Sequence, residues 1–198
     1  MMFMKVTNVV NSLTLITLLY SLRFYIVKLT EGHRFPMTKY RIVRQGLQHE
    51  YMQHKHVSFH VSPLATQSEL STTHCIEYIN RYITGQMTEK EVRKTGFPWS
   101  LAGVQRSLSS VGGTVAAMRS ILEGHNSDLS DVSCHLAGGT HHAFYDYGEG
   151  YCIFSDIAVA ANVALTEYPE RVKRVLIIDL DVHQGQNYDL FYLPMQSF

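Results

Sequence analysis

Alternating and helical patterns of apolar residues take turns along the chain. "HVSFHVSPLA" puts Val57, Phe59 and Val61 at every second position, which predicts a strand ended by Pro63. "RVLIIDLDVHQGQ" opens with an unbroken apolar run, Val175 to Ile178, which predicts a strand covered on both faces as in a parallel sheet. A short strand is expected near Val132 to Leu136. Pro36 suits the first position of a helix through "MTKYRIVRQGLQ". Another helix is expected over roughly Ser71 to Thr84, stopping at Gly85. Thr88 and Glu91 have capping-box spacing for a short helix, and "GFPWS" after it reads as a loop. A long helix is predicted from Arg106 to Glu123, with Gly124 at its end. Gly112 and Gly113 each cost it about 1 kcal/mol, so close backbone packing is expected there. Ser155 can cap a helix through Ala158, Val159, Val163 and Leu165, closed before Pro169. Strands alternating with helices predict an α/β fold on a largely parallel sheet.

The end of the last strand carries chemistry. In an extended chain, residues two apart share a face, so Asp179, Asp181 and His183 point together while Leu180 and Val182 point away. A carboxylate closing an apolar strand is costly to desolvate unless it is paired or bound to a metal. One aspartate would fit a solvated strand end; D-x-D-x-H fits a metal or acid/base site better. Gly185 then permits a sharp turn.

"GGTHHA" poses a related problem. Adjacent side chains diverge in helices and strands, so His141 and His142 can enter one pocket only from an irregular loop. Gly138 and Gly139 give the backbone that freedom. Histidine suits proton transfer near neutral pH, and Asp179 is the carboxylate placed to orient one ring. A solvated loop is the plain alternative. Together with the strand end, the pair suggests metal-assisted hydrolysis, with a histidine taking the proton of the attacking water.

Composition narrows the class. At 198 residues the chain can make one domain with a substantial core. It is 45% hydrophobic and 17% charged, a globular balance rather than a disordered one. Lys plus Arg and Asp plus Glu both number 17, which argues against broad electrostatic capture of nucleic acid. Cys75, Cys134 and Cys152 lack C-x-x-C spacing and fit a reducing compartment, nuclear or cytoplasmic, better than a disulfide framework. Residues 6–22 carry no charge but are short and polar for a spanning helix. A core element, a targeting or membrane segment and an artefactual leader all remain open for them.

"LAGGTHHAFYDYGEGYCIFSDIAVAANVAL" followed by "RVLIIDLDVHQG" resembles the zinc-dependent histone deacetylase family, which includes acetoin-utilisation and acetylpolyamine relatives. "EGHRFPMTKY", "TGQMTEKEVRKTGFPWS" and "RSLSSVGGTVAAM" add to the likeness. The resemblance implies an arginase/deacetylase-like fold, a parallel sheet with helices on both faces. It also implies Zn2+ as cofactor, with Asp181 and His183 as its first two ligands. His141 and His142 match the tandem histidines, with His142 preferred as general base, and Asp179 matches the carboxylate that orients His141. Gly150 and Tyr151 fall where the family lines an apolar channel for the acyl-lysine stem. The implied reaction is hydrolysis of an acetyl amide. The implied partners are acetylated histone tails or other acetylated proteins, with corepressor-type proteins besides them, in chromatin regulation.

The likeness runs from about Tyr25 to Gly185, which divides the chain into residues 1–22, residues 23–185 and a tail, 186–198. Gln186 replaces the residue that pairs with the second histidine. A third zinc ligand and an oxyanion-stabilising tyrosine find no match, and Tyr188, Asp189 and Tyr192, which are not in matching motifs, are not assigned those roles. The resemblance thus implies that the carboxyl-terminal part of the fold is missing, as in a splice variant, a truncated gene model or a fragment, with impaired activity. Two other readings stand beside it: a non-catalytic isoform that binds partners, and an amidase for acetylpolyamine-type small molecules.

Overall fold

The computed structural model describes residues 3–5, 17–21, 27–123 and 132–183. Strands β1 (Phe3–Lys5) and β2 (Thr17–Ser21) precede helix α1 (Lys39–Tyr51) and strand β3 (Val57–Val61). Helices α2 (Gln67–Ser71), α3 (Ile76–Thr84), α4 (Glu89–Thr95) and α5 (Leu101–Leu122) follow, then β4 (Val132–His135) and α6 (Asp156–Glu167). The sheet runs in the order β1-β4-β2-β3. β2 pairs in parallel with β3 and β4, and β1 is antiparallel to β4. Of the readings open for the leader, its described pieces are therefore strands. Among the described residues no helix is long and apolar enough to cross a membrane.

Helix α5 packs on β2 and β4, and α3 and α6 pack against α5. Leu70, Tyr78, Val111, Met118, Phe154 and Val163 fill the space between them. Tyr78 brings a polar atom into this core and satisfies it by donating to the Ile153 carbonyl at 2.7 Å.

Most elements stand where the pattern predicts, with shifts that have local causes. α1 starts at Lys39 rather than Pro36, because the Pro36 carbonyl first closes a turn with the Lys39 N–H. The single helix expected over Ser71 to Thr84 is two. Thr66 and Glu69 form a capping box that opens α2 early, and the Thr72 hydroxyl then donates to the Glu69 carbonyl at 2.7 Å. Cys75 is extended, and α3 restarts after it. α5 begins at Leu101 because the Ser100 hydroxyl accepts the Gly103 N–H at 3.0 Å. Gly112 answers the expectation of close packing: a methyl there would overlap the Pro63 carbonyl. Gly124 and Gly185 lie outside the described residues.

One expectation fails. Val175 to Ile178 is not a strand buried on both faces; residues 174–181 run without ladder bonds. Val175 packs against the core, but Leu176, Ile178, Leu180 and Val182 are exposed, Val182 at 91%. An apolar run shows what a segment would bury, not what covers it. Among the described residues no strand lies beside this one.

His74 gives the fold a pH dependence. It is fully buried, its Nδ1 donates to the Phe144 carbonyl at 2.8 Å and its Nε2 accepts the Ser155 N–H at 3.0 Å. Accepting at Nε2 requires the neutral ring, and burial lowers its pKa from 6.5 to about 4. The unfolded chain takes up this proton near 6.5 and the folded chain only near 4, so stability falls as pH drops across that interval. At about 1.36 kcal/mol per pH unit, the loss is on the order of 3 kcal/mol. Urea unfolding from pH 7 to pH 4 should show a shallower pH slope for His74→Gln than for the parent chain. Equal slopes would place the acid sensitivity elsewhere.

Candidate active site

The tandem histidines stand on the loop between β4 and α6, and the sequence shapes that loop through its glycines. Gly138 and Gly139 have φ of 92° and 70°, in the left-handed region that glycine tolerates. The backbone turns back on itself there, with the His141 N–H bonded to the Gly139 carbonyl at 3.0 Å. The result brings the two rings together, centroids 4.2 Å apart.

His141 is buried, and its Nδ1 lies 2.8 Å from Asp179 Oδ2, the carboxylate expected to orient it. Its Nε2 is 3.8 Å from Asp181 Oδ1. His142 faces His183, ring centroids 5.9 Å apart. Its pKa is held below the ordinary histidine value, first by burial and then by His141 and His183. A neutral ring of this kind can accept a proton.

Asp179, Asp181 and His183 do share a face although no ladder holds them. The Asp181 N–H donates to Asp179 Oδ1 at 2.9 Å and the His183 N–H to Asp181 Oδ1 at 2.7 Å. These two local bonds set the spacing that a strand would have set. The His183 backbone bond is the first cause holding the Asp181 carboxyl below its usual range. His183 Nδ1 lies 2.8 Å from the same oxygen. A carboxylate oxygen and an imidazole nitrogen side by side are donors of the kind zinc takes, so Asp181 and His183 are the residues that would hold it. Among the described residues no group of three or more His, Cys, Asp or Glu could hold a metal.

Gly150 and Tyr151 reach the site from the far end of the loop. Their N–H groups donate to the carbonyls of Lys94 and Thr95 at 3.2 and 2.9 Å, and both have positive φ, 55° and 67°. A methyl on Gly150 would press on the His142 ring. Tyr151 packs against Phe35 and Phe97, centroids 5.1 and 5.2 Å away. The Arg106 guanidinium lies 5.3 Å from both of those phenylalanine rings. The three motifs around residues 31–40, 84–100 and 106–118 thus build one aromatic wall. A cavity of about 440 Å³ opens beside the carboxylates, lined by Lys39, Tyr40, Gly138, Asp179 and Asp181 among others. Its size suits a small-molecule site.

Two residues escaped the sequence reading. Asp156, fully buried at the start of α6, accepts the Gly139 N–H at 3.2 Å and the Thr140 N–H at 2.8 Å. An acidic residue after Ser155 reads as an ordinary first-turn aspartate, so only its burial reveals the second role. Cys152 lies under the site, but burial pushes its thiol up to about 12, which keeps it protonated and unreactive.

Comparison with known proteins identifies the family. Residues 33–192 match the family model for the histone deacetylase domain. An uncharacterized protein of Picosynechococcus sp. is 38% identical over 161 residues, 81% of this chain and 51% of that protein. The acetoin utilization protein AcuC of Staphylococcus aureus is 35% identical over 62% of this chain and 32% of its own length. The chain thus spans about half the length of the first relative and a third of the second. Among solved structures, the HDA15 HD domain superposes with a TM-score of 0.60 at 17% identity, over 77% of this chain and 43% of that one. An HDAC homolog from Aquifex aeolicus gives 0.59 at 24% identity, over 77% and 41%. The fold is the arginase/deacetylase-like α/β fold, and the chain belongs to the histone deacetylase family.

Proposed function

We propose that this chain carries the base and part of the metal site of a zinc-dependent hydrolase for the acetyl amide of acetyl-lysine, in histones or other proteins. The observation that carries the reading is the meeting of Asp179, His141, His142, Asp181 and His183 at one place. Asp181 and His183 would hold the zinc, which when bound polarises the amide carbonyl and activates water. His142 takes the proton of the attacking water and returns it to the departing lysine amine. His141 is fixed by Asp179, so its ring presents a set tautomer to the same space. Gly150 keeps the approach to His142 open, and Tyr151 with Phe97 supplies apolar surface for a methylene stem.

Acetylated protein tails are the proposed partners, and a reducing compartment, nuclear or cytoplasmic, the proposed location. The three free cysteines, two of them buried, favour the latter. A second reading, a partner-binding chain with little turnover, is favoured by the exposure of Leu176, Ile178, Leu180 and Val182. An amidase for acetylpolyamine-type molecules would be favoured by an acidic rim at the channel mouth, and no rim residue is assigned among the described residues.

Zinc titration of the folded chain tests the metal assignment. His183→Ala is expected to weaken zinc affinity about tenfold or more, and unchanged affinity would remove His183 from the site.

The base assignment is tested in a version extended with the carboxyl-terminal part of a relative. There His142→Ala should lower turnover of an acetyl-lysine peptide by about 10²–10⁴-fold while zinc is retained. Near-full activity of that variant would assign the base elsewhere.

A further inference from the structure

A buried line of hydrogen bonds runs from the end of β3, across α5, to the histidine loop. Asp156 Oδ2 is its carboxylate end. The Thr114 hydroxyl, on α5, donates to it at 2.5 Å, while its alternative acceptor, the Ser110 carbonyl, is at 3.5 Å. With its proton committed to the carboxylate, Thr114 Oγ1 accepts from His135 Nδ1 at 2.9 Å. His135 Nε2 is then an acceptor, and the Ser62 hydroxyl lies 3.2 Å from it. With His135 neutral, every bond in the line has one direction and the ring carries its proton on Nδ1. Burial drives His135 below the ordinary histidine pKa, in keeping with that state.

The chain also makes room for this line. A methyl on Gly113 would overlap His135 Nε2 and the Ser62 hydroxyl. One on Gly138 would overlap Asp156 Oδ2 and crowd Thr114 Oγ1. "VGGT" on the helix and "AGGT" on the loop are therefore both shaped around the same polar atoms. At the loop end, Asp156 holds the N–H groups of Gly139 and Thr140 and the Thr140 hydroxyl, directly before His141. Ser62, His135 and Asp156 are all buried, so a broken link leaves an unsatisfied group with no water to replace it.

We infer that Ser62, His135, Thr114 and Asp156 are positioning residues that set the backbone carrying His141 and His142, and that Thr114 is the link on which the line depends. Its catalytic meaning rests on the deacetylase reading; its structural meaning does not. None of the four touches the reacting atoms.

The experiment uses the full chain. Amide exchange at Gly139 and Thr140, and nitrogen shifts of the His135 and His141 rings, are followed by NMR in Thr114→Val and Thr114→Ser. Thr114→Val should speed exchange at both amides tenfold or more and change the His135 tautomer signature, while Thr114→Ser restores both. If Thr114→Val does not fold, Ser62→Ala removes only the outermost hydroxyl. It should shift the His135 ring nitrogens and speed the same two amides. Unchanged exchange in the folded variant, or a change that serine fails to rescue, overturns the inference. In the extended, active version Thr114→Val should lower kcat tenfold or more with KM held, and an equal kcat would overturn the catalytic part. An extended parent chain with no deacetylase activity would instead refute the functional reading and leave the exchange result standing.

Discussion

The contact between Asp179 and His141 joins the histidine loop to the segment that carries Asp181 and His183. Residues 174–181 have no ladder, and most of their apolar side chains face outward. Val175 anchors one end in the core. Beyond it, Asp179 Oδ2 meets the buried His141 Nδ1 at 2.8 Å. An ion-assisted hydrogen bond beside a buried partner is stronger than a solvated one. Asp181 and His183 then follow through bonds to their own backbone neighbours. The proposed metal half of the site is thus tied to the proposed base half by the pair of Asp179 and His141, with Asp181 Oδ1 3.8 Å from His141 Nε2 and the His183 ring 5.9 Å from that of His142.

That registration is useful only if His141 itself is fixed, and here the loop chemistry matters. Glycines let the chain enter the left-handed region, but freedom alone does not choose one conformation. Asp156 chooses it by taking the Gly139 and Thr140 N–H groups, and His74 closes the far side by binding the Phe144 carbonyl and the Ser155 N–H. Both ends of the loop from residue 139 to residue 155 are therefore tied to buried side chains. A loop held in this way can present adjacent histidines to one space, which regular structure cannot.

Much of this was legible in the sequence because the signals are local. The Thr88 and Glu91 capping box, the Gly85 stop and the paired glycines before His141 each act within a few residues, and each appears as expected. The period-two spacing of Asp179, Asp181 and His183 also survives, although local bonds rather than a ladder maintain it. What was illegible depends on distant partners. Nothing near Asp156 or His135 in the sequence announces that they meet through Thr114. The split between α2 and α3 turns on a hydroxyl at Thr72 that competes for a helix carbonyl. The buried strand was misread for the same reason, since cover for Leu176 to Val182 must come from elsewhere.

Burial across the site is graded, and the gradient follows these attachments. The His141 side chain is 7% exposed and Asp179 27%, whereas Asp181 is 49% and His183 69% exposed. Attraction between charges weakens steeply as water enters, because the effective dielectric rises. The proposed proton-handling half therefore sits in a medium where small displacements carry large energies. The proposed metal-binding half sits where water competes for each donor. Any surface that covered Leu176, Ile178, Leu180 and Val182 would also exclude water from the adjoining face of Asp181 and His183. Cover of the apolar strip and strength of the metal site are, on this argument, one physical variable rather than two.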